Sequence, residues 1–101
     1  MTNIIPLLYK IQNCPGMFIG KKSIIRLRSF IDGYIFALKM AGLEFVADDY
    51  YLFCDWLSNK YDVKGAASYE TYLPRITGNE SDAFDLFYLN LQEYTEISSC
   101  S

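Results

Sequence analysis

The chain contains no histidine, and this absence narrows the chemistry open to it. Histidine is the commonest general base and the usual partner in catalytic triads, so the ordinary nucleophilic and acid–base sites lack their central residue. The three cysteines, Cys14, Cys54 and Cys100, form no CxxC pair, and structural zinc is usually bound by Cys and His together. An odd number of cysteines also argues against a disulfide framework. These absences predict a protein that is not an enzyme, has no catalytic residues and holds no metal or cofactor.

Long hydrophobic runs are missing as well. No segment reaches the roughly 18 uncharged apolar residues needed to span a bilayer, and the longest apolar stretch, residues 33–40, contains Lys39. Residues 1–8 have no basic region ahead of their apolar side chains and no small-residue cleavage site, so no secretory signal is expected. These features predict a cytoplasmic protein that does not associate with membranes.

Glycine-rich phosphate loops are a third absence, because the chain has neither a P-loop nor a GxGxxG motif. The stretch CPGMFIG at residues 14–20 resembles the RPGMYIG stretch of the gyrase B type of ATPase, with Cys14 in place of the Arg. The Asn-bearing helix, the DxGxG-like turn and the sheet of that site have no counterpart here, so we interpret the match as the same turn chemistry. Asp82 and Asp85 share a predicted helix face and could bind a divalent ion, although such pairs are more often solvated.

Apolar and aromatic residues, by contrast, are abundant. Hydrophobic residues make up 51% of the 101-residue chain and aromatic residues 17%, which is too apolar for a disordered protein and enough for one core. Apolar side chains recur at three- and four-residue steps, a spacing typical of helices that bury one face. In the helix that begins at Asp48, this spacing predicts an inward stripe of Tyr51, Leu52, Trp56 and Leu57, with Phe53 beside it.

The helix boundaries follow from capping residues and from Pro and Gly. Helices are predicted over residues 2–13, from the cap Ser23 to the stop at Gly42, over 48–61, from Ser68 to a break at Pro74, and from Asn79 or Ser81 to about residue 96. Residues 15–22 are predicted to be an apolar loop folded against the core, residues 43–46 are the best strand candidate, and residues 98–101 should fray. The expected fold class is all-α, an irregular compact bundle of about five helices in a single domain spanning residues 1–101.

Charge is divided unevenly along the chain. Residues 1–39 contain six Lys and Arg against one Asp, a net charge of +5, whereas residues 40–101 contain three against eleven acids, a net charge of −8. An acidic surface repels nucleic acid and attracts basic proteins, whose association it accelerates by long-range steering. Tyr and Trp, which are favoured at interfaces, stand beside several of the acids. The pattern indicates a contact face for a cationic partner.

A plainer interpretation of the same residues stays open. Most acidic helix faces are simply solvated, and aromatic side chains usually pack in the core, which is the expectation for Trp56, Phe84 and Phe87. The basic residues Lys21, Lys22, Arg26 and Arg28 could touch phosphate, but they begin a predicted helix at the unfavourable end of its dipole. We expect them to pair with the acidic half of the chain and expect no direct binding of nucleic acid.

One resemblance extends over most of the chain. The run YKIQNCPGMFIGKKS at residues 9–23, followed by Leu27, the FIDGY sequence at residues 30–34 and Phe36, resembles small bacterial immunity proteins of contact-dependent growth inhibition and other polymorphic toxin systems. In that pattern a PGMYIG-like loop leads into a helix with an FIDGY centre. The DWL sequence at residues 55–57 and the acidic, aromatic DAFDLF at residues 82–87 resemble the later segments of the family.

The resemblance implies a cytoplasmic immunity protein that binds and neutralises one cognate toxin by covering its active site. Many such toxins are nucleases (an RNase is expected here), and nucleases tend to be basic because their substrate is a polyanion. The predicted partner-binding residues are Asp48, Asp49, Tyr50, Tyr51, Asp55, Tyr72, Asp82, Asp85 and Glu93. The alternative is a small helical regulatory or adaptor protein that binds another protein or nucleic acid.

Overall fold

Six helices form the secondary structure of the residues that the structure describes. The structure is a computed structural model that describes residues 3–43, 47–65 and 67–99. The helices, with no strand among the described residues, are α1 (Ile5–Asn13), α2 (Pro15–Ile19), α3 (Ile24–Met40), α4 (Asp48–Lys60), α5 (Tyr69–Thr77) and α6 (Glu80–Ser99). The Cα radius of gyration is 13.5 Å, close to the value of about 13 Å typical of a 100-residue domain. The all-α fold class is confirmed, with one short helix more than the five that were expected.

The start of α3 is capped as the sequence predicts. The hydroxyl oxygen of Ser23 accepts a hydrogen bond from the backbone N–H of Arg26 at 3.3 Å, which satisfies one of the free donors at a helix N-terminus. The same hydroxyl donates to the Glu80 carboxylate at 2.9 Å. Ser23 is only 1% exposed, so this buried cap also ties the first turn of α3 to the first turn of α6.

The predicted loop at residues 15–22 is helical over its first five residues, which corrects the expectation. Pro15 occupies the first position of α2, where its missing N–H costs nothing, and the amide of Gly20 donates to the Pro15 carbonyl at 3.2 Å. Gly20 has φ +86°, a left-handed conformation that favours glycine and ends the helix. Ile19 is buried, and Phe18 packs edge-on against Phe30. The segment therefore folds against the core, as expected, but as a helical turn.

The predicted break at Pro74 is also wrong, because α5 continues through this residue to Thr77. A proline inside a helix removes one backbone hydrogen bond and costs about 3 kcal/mol. Packing offsets this cost: Tyr69, Tyr72 and Leu73 are buried, and α5 packs most extensively against α6. Helix α5 ends at Gly78, in a left-handed conformation with φ +97°.

The last helix is longer than predicted. Helix α6 continues to Ser99, so residues 98 and 99 have a helical backbone, and residues 100 and 101 of the predicted frayed tail lie outside the described residues. Most of the strand candidate at residues 43–46 also lies outside them. No helix within the described ranges is both long and apolar enough to cross a membrane.

An aromatic centre holds α4, α5 and α6 together. Phe53 meets Phe87 edge-on with ring centroids 5.3 Å apart, and Tyr69 lies 4.7 Å from Phe87. The Tyr88 hydroxyl donates to the carbonyl of Leu8 at 2.6 Å, which links α6 to α1. Each large apolar side chain buried in this way contributes about 1.5–3 kcal/mol relative to exposure.

The core assignment expected for three aromatic residues holds for two of them completely. Phe84 is 2% exposed and Phe87 is fully buried. Trp56 is half-buried and stacks on Phe53 with an interplanar angle of 24°. The N-terminal half of α4, by contrast, has one side that does not pack against the core. This side carries the candidate partner-binding residues.

Candidate partner-binding surface

The exposed side of α4 combines two acids with an aromatic and an aliphatic side chain. Asp48, Tyr51, Leu52 and Asp55 follow one another at positions i, i+3, i+4 and i+7, so they share one helix face. Both aspartates are exposed, and Tyr51 and Leu52 are 47% and 59% exposed. Neither Asp48 nor Asp55 forms a salt bridge with a cation of the described chain. We call these four residues the α4 face.

The orientation of α4 corrects the predicted stripe. The residues that α4 buries are Tyr50, Phe53 and Leu57, whereas Tyr51 and Leu52 point to solvent. The observed inward stripe is rotated from the predicted one by one residue, which is about 100° around the helix axis. This rotation places Tyr50 in the core and leaves Tyr51 on the surface, where a partner can reach it. Tyr50, 1% exposed, and Tyr72, also buried, present almost no surface in the free chain and belong to the core. Only Tyr51 of the three predicted contact tyrosines is exposed.

A cleft opens beside the α4 face, between α4 and α5. Its volume is about 260 Å³, and Arg28, Tyr51, Asp55, Ser58, Ser68 and Tyr72 are among the residues that line it. We call this cleft the α4–α5 cleft. Tyr51 and Asp55 belong to both the α4 face and the α4–α5 cleft, so the two features form one continuous surface. The cleft is smaller than the cavities of about 300–1,000 Å³ that usually bind small-molecule ligands.

The buried wall of the α4–α5 cleft contains a pair of tyrosine hydroxyls. The hydroxyl oxygens of Tyr50 and Tyr69 lie 2.7 Å apart, and their rings meet edge-on. Burial raises the pKa of both phenols above the ordinary value, so both stay protonated at a pH at which an exposed tyrosine ionises. Burial likewise raises the pKa of the neighbouring Cys54 thiol to about 12, against the opposing effects of Arg28 and of a hydrogen bond with Tyr50. The thiol is therefore not activated as a nucleophile.

Arg28 supplies the one positive charge among the residues that line the cleft. Its Nε donates to the two Asp32 oxygens at 3.1 and 3.0 Å, and its Nη1 donates to Glu70 at 3.3 Å. Burial lowers the pKa of the guanidinium, but the oxygens of Tyr50, Asp32 and Glu70 raise it by more. The pKa of Arg28 is therefore above its ordinary value. The one cation of the cleft wall is thus paired with two carboxylates that do not themselves line the cleft. Asp55, the one carboxylate among the lining residues, forms no salt bridge with a described cation.

Asp49, although next to Asp48, has a structural role. Its carboxylate accepts the backbone N–H groups of Ile4 at 3.2 Å and of Ile5 at 2.8 Å. These amides lie at the start of α1, which has no capping side chain of its own. Asp49 therefore caps α1 from a distant part of the chain, and this use of its oxygens leaves it less available to a partner.

The three predicted acids on α6 are each held by a contact within the chain. Asp85 forms a salt bridge with Lys22 at 2.9 Å, and Glu93 forms one with Lys60 at 2.7 Å. Asp82 accepts a hydrogen bond from the Asn79 side chain. These side chains are exposed, so each ion pair contributes at most about 1 kcal/mol. The pairs nevertheless neutralise part of the acidic surface that the sequence assigned to a partner.

The basic cluster at the start of α3 pairs partly with the acidic half of the chain, as predicted. Lys22 bonds to Asp85 and Arg28 to Glu70. Arg26 uses its guanidinium to donate to the backbone carbonyl of Ile19 at 3.1 Å, which secures the end of α2. Three of the four basic side chains thus make contacts that stabilise the fold.

Two features of this surface had no signal in the sequence. Arg28 and Glu70 are 42 residues apart, and Tyr50 and Tyr69 are 19 apart, so neither contact follows from local spacing.

Among the described residues there is no group of three or more His, Cys, Asp or Glu side chains that could hold a metal ion. Comparisons of the chain with protein-family models, with curated proteins and with solved structures returned no match.

Proposed function

We propose that this chain is an immunity protein that binds and neutralises a cognate bacterial toxin, a basic nuclease of the RNase type, by covering its active site. The observation that carries the proposal is the α4 face. It presents two carboxylates that form no salt bridge with a cation of the described residues, beside an exposed tyrosine and an exposed leucine. Interfaces commonly combine an apolar, aromatic centre with a charged surround that is complementary to the partner.

The distribution of charge supports a cationic partner. The chain carries a net charge of −3, and several of its basic residues are already occupied by contacts within the chain. A nuclease needs a basic surface to bind its polyanionic substrate. An acidic protein that covers this surface competes with the nucleic acid for the same charges. The resemblance of residues 9–36 to immunity proteins points to the same role.

The test is inhibition of the protein encoded by the neighbouring gene, which the proposal expects to be the toxin. Cleavage of an RNA substrate by the purified toxin domain is measured while the chain is added in increasing amounts. The proposal expects cleavage to stop at a stoichiometric ratio, and isothermal titration calorimetry should give a dissociation constant of about 1 nM or below, as expected for a tight inhibitor. Full cleavage at a tenfold excess of the chain would refute it.

A second candidate is an adaptor that binds another protein through an apolar surface. Phe36 and Met40 on α3, with Leu43 just beyond it, are 65%, 73% and 58% exposed and follow one another at four- and three-residue steps. Exposed apolar groups of this kind often mark contact sites. An adaptor of this kind would bind its partner equally well after Asp48 and Asp55 are neutralised, and it would leave nuclease activity unchanged.

A further inference from the structure

We infer that the α4–α5 cleft is the pocket for an arginine side chain of the protein partner. This inference rests on the proposed function, because it names the group of a basic partner that the acidic surface would hold. The observations that carry it are the size of the cleft, its charge, its aromatic wall and its position beside the α4 face.

The size of the cleft suits one side chain. About 260 Å³ is too little for most small-molecule ligands, yet it offers ample space for a guanidinium and part of its aliphatic stem. The cleft is continuous with the α4 face through Tyr51 and Asp55. A side chain that projects from a protein lying on the α4 face would therefore lie next to the cleft.

Charge selects a cation. Arg28 is the only basic residue among the described residues that line the cleft, and its charge is offset by Asp32 and Glu70. Asp55 has no salt bridge within the described chain, so its carboxylate is free to accept two parallel N–H bonds. Carboxylate–guanidinium pairs of this bidentate kind are among the strongest charge-assisted hydrogen bonds.

The aromatic wall selects arginine over lysine. A guanidinium is planar and weakly hydrated, so it stacks on aromatic rings, whereas an ammonium group is compact and strongly hydrated. The chain already contains one such contact, since the Arg28 guanidinium carbon lies 5.4 Å from the centre of the Tyr69 ring. Tyr51, the exposed ring of the cleft, is free to provide a second one for an incoming side chain.

The probe for this inference is N-acetyl-arginine amide, a single arginine side chain without any partner protein. Backbone amide shifts of the full-length chain are followed by NMR at an ionic strength held at about 150 mM, so that adding the charged probe does not change the screening. The expected result is saturable shifts at residues 51–58 and 67–69, with a dissociation constant of about 5 mM, typical of one side chain. N-acetyl-lysine amide should bind at least about threefold more weakly.

Two variants with the same change of charge locate the site. Asp55→Asn should weaken binding of N-acetyl-arginine amide about tenfold, because the bidentate acceptor is lost. Asp62→Asn serves as the control and should change binding by less than about twofold. Asp62 is exposed and does not line the cleft, and its left-handed φ of +52° is one that asparagine tolerates.

Several outcomes would overturn the inference. Shifts absent from the cleft at about 100 mM probe, shifts unaffected by Asp55→Asn, or equal binding of the lysine and arginine amides would each do so. These results are independent of the nuclease assay, because the probe needs no toxin. A chain that binds the arginine amide but does not inhibit the toxin would refute the proposed function alone.

Discussion

Replacement of Asp49 by alanine should destabilise the fold, although Asp49 lies in a run of residues that looks like a binding surface. The Asp49 carboxylate accepts the N–H groups of Ile4 and Ile5 at 3.2 and 2.8 Å, and Ile4 is fully buried. Helix α1 has no other side-chain cap among the described residues. The substitution leaves two partly buried donors with water as their best partner.

The expected loss follows from these two bonds. A hydrogen bond to a charged group contributes about 1.5–3 kcal/mol when it is well made, and partial exposure of the Asp49 bonds reduces this, so we expect a total of about 2 kcal/mol. For a domain of this size, that corresponds to a fall in Tm of roughly 10 °C. Asp49→Asn keeps an oxygen acceptor but loses the charge, so it should cost about 1 kcal/mol.

The adjacent acid provides the matched control. Asp48→Ala makes the same chemical change at an exposed position of the α4 face and should cost no more than about 0.5 kcal/mol. Urea denaturation followed by circular dichroism at 222 nm measures all three variants. Equal losses for Asp48→Ala and Asp49→Ala, or a loss below about 0.5 kcal/mol for Asp49→Ala, would refute the capping role.

Three further predictions concern buried groups. Tyr50→Phe and Tyr69→Phe should each cost about 1–2 kcal/mol in urea denaturation, and the double variant should cost less than their sum, because each single variant leaves one buried hydroxyl without its partner. Burial raises the pKa of four tyrosines in the folded state only, namely Tyr50, Tyr69, Tyr72 and Tyr88. Their contribution to the free energy of unfolding should therefore be complete below about pH 10 and be lost as the pH rises above it. Phenolate absorbance from these residues should appear only with unfolding. In a Cys100→Ser background at pH 8, iodoacetamide should modify the exposed Cys14 much faster than Cys54, whose thiol has its pKa raised by burial to about 12; equal rates would contradict this.

The helices could be predicted because their signals are local. Ser23, three residues ahead of the amide it caps, and the aspartates at the start of α4 mark helix starts without reference to the rest of the chain. The break predicted at Pro74 failed for the opposite reason. The packing of α5 on α6, which offsets the cost of a proline inside a helix, depends on residues that are distant in sequence.

The candidate site was predicted only in part, and helix phase explains much of the difference. Tyr50, Phe53 and Leu57 have the three- and four-residue spacing of an inward stripe, but Tyr51 and Leu52 fit a second stripe that is equally apolar. The apolar composition of the two stripes does not show which one faces the core. Only the contacts of α4 with α5 and α6 turn Tyr50 inward and leave Tyr51 on the surface.

The acids were equally ambiguous, because their fate depends on long-range partners. Asp49 caps a helix that begins 44 residues earlier, and Asp85 pairs with Lys22, 63 residues away. Asp48 and Asp55 have the same side chain but no such partner among the residues that the structure describes. The residues next to an acid in the sequence do not show whether its carboxylate forms a contact within the fold or stays available to a binding partner.

The most direct test of the α4 face is the rate at which the chain associates with its cognate toxin. Stopped-flow association at low salt is compared for the double variant Asp48→Asn/Asp55→Asn and for Asp62→Asn/Glu96→Gln, which makes the same change in net charge at exposed acids outside the α4 face. The association rate constant should fall about tenfold for the first variant and less than about threefold for the second, because steering depends on charge near the contact. Equal effects of the two variants, or no effect of the first, would contradict the assignment of the α4 face as the contact surface.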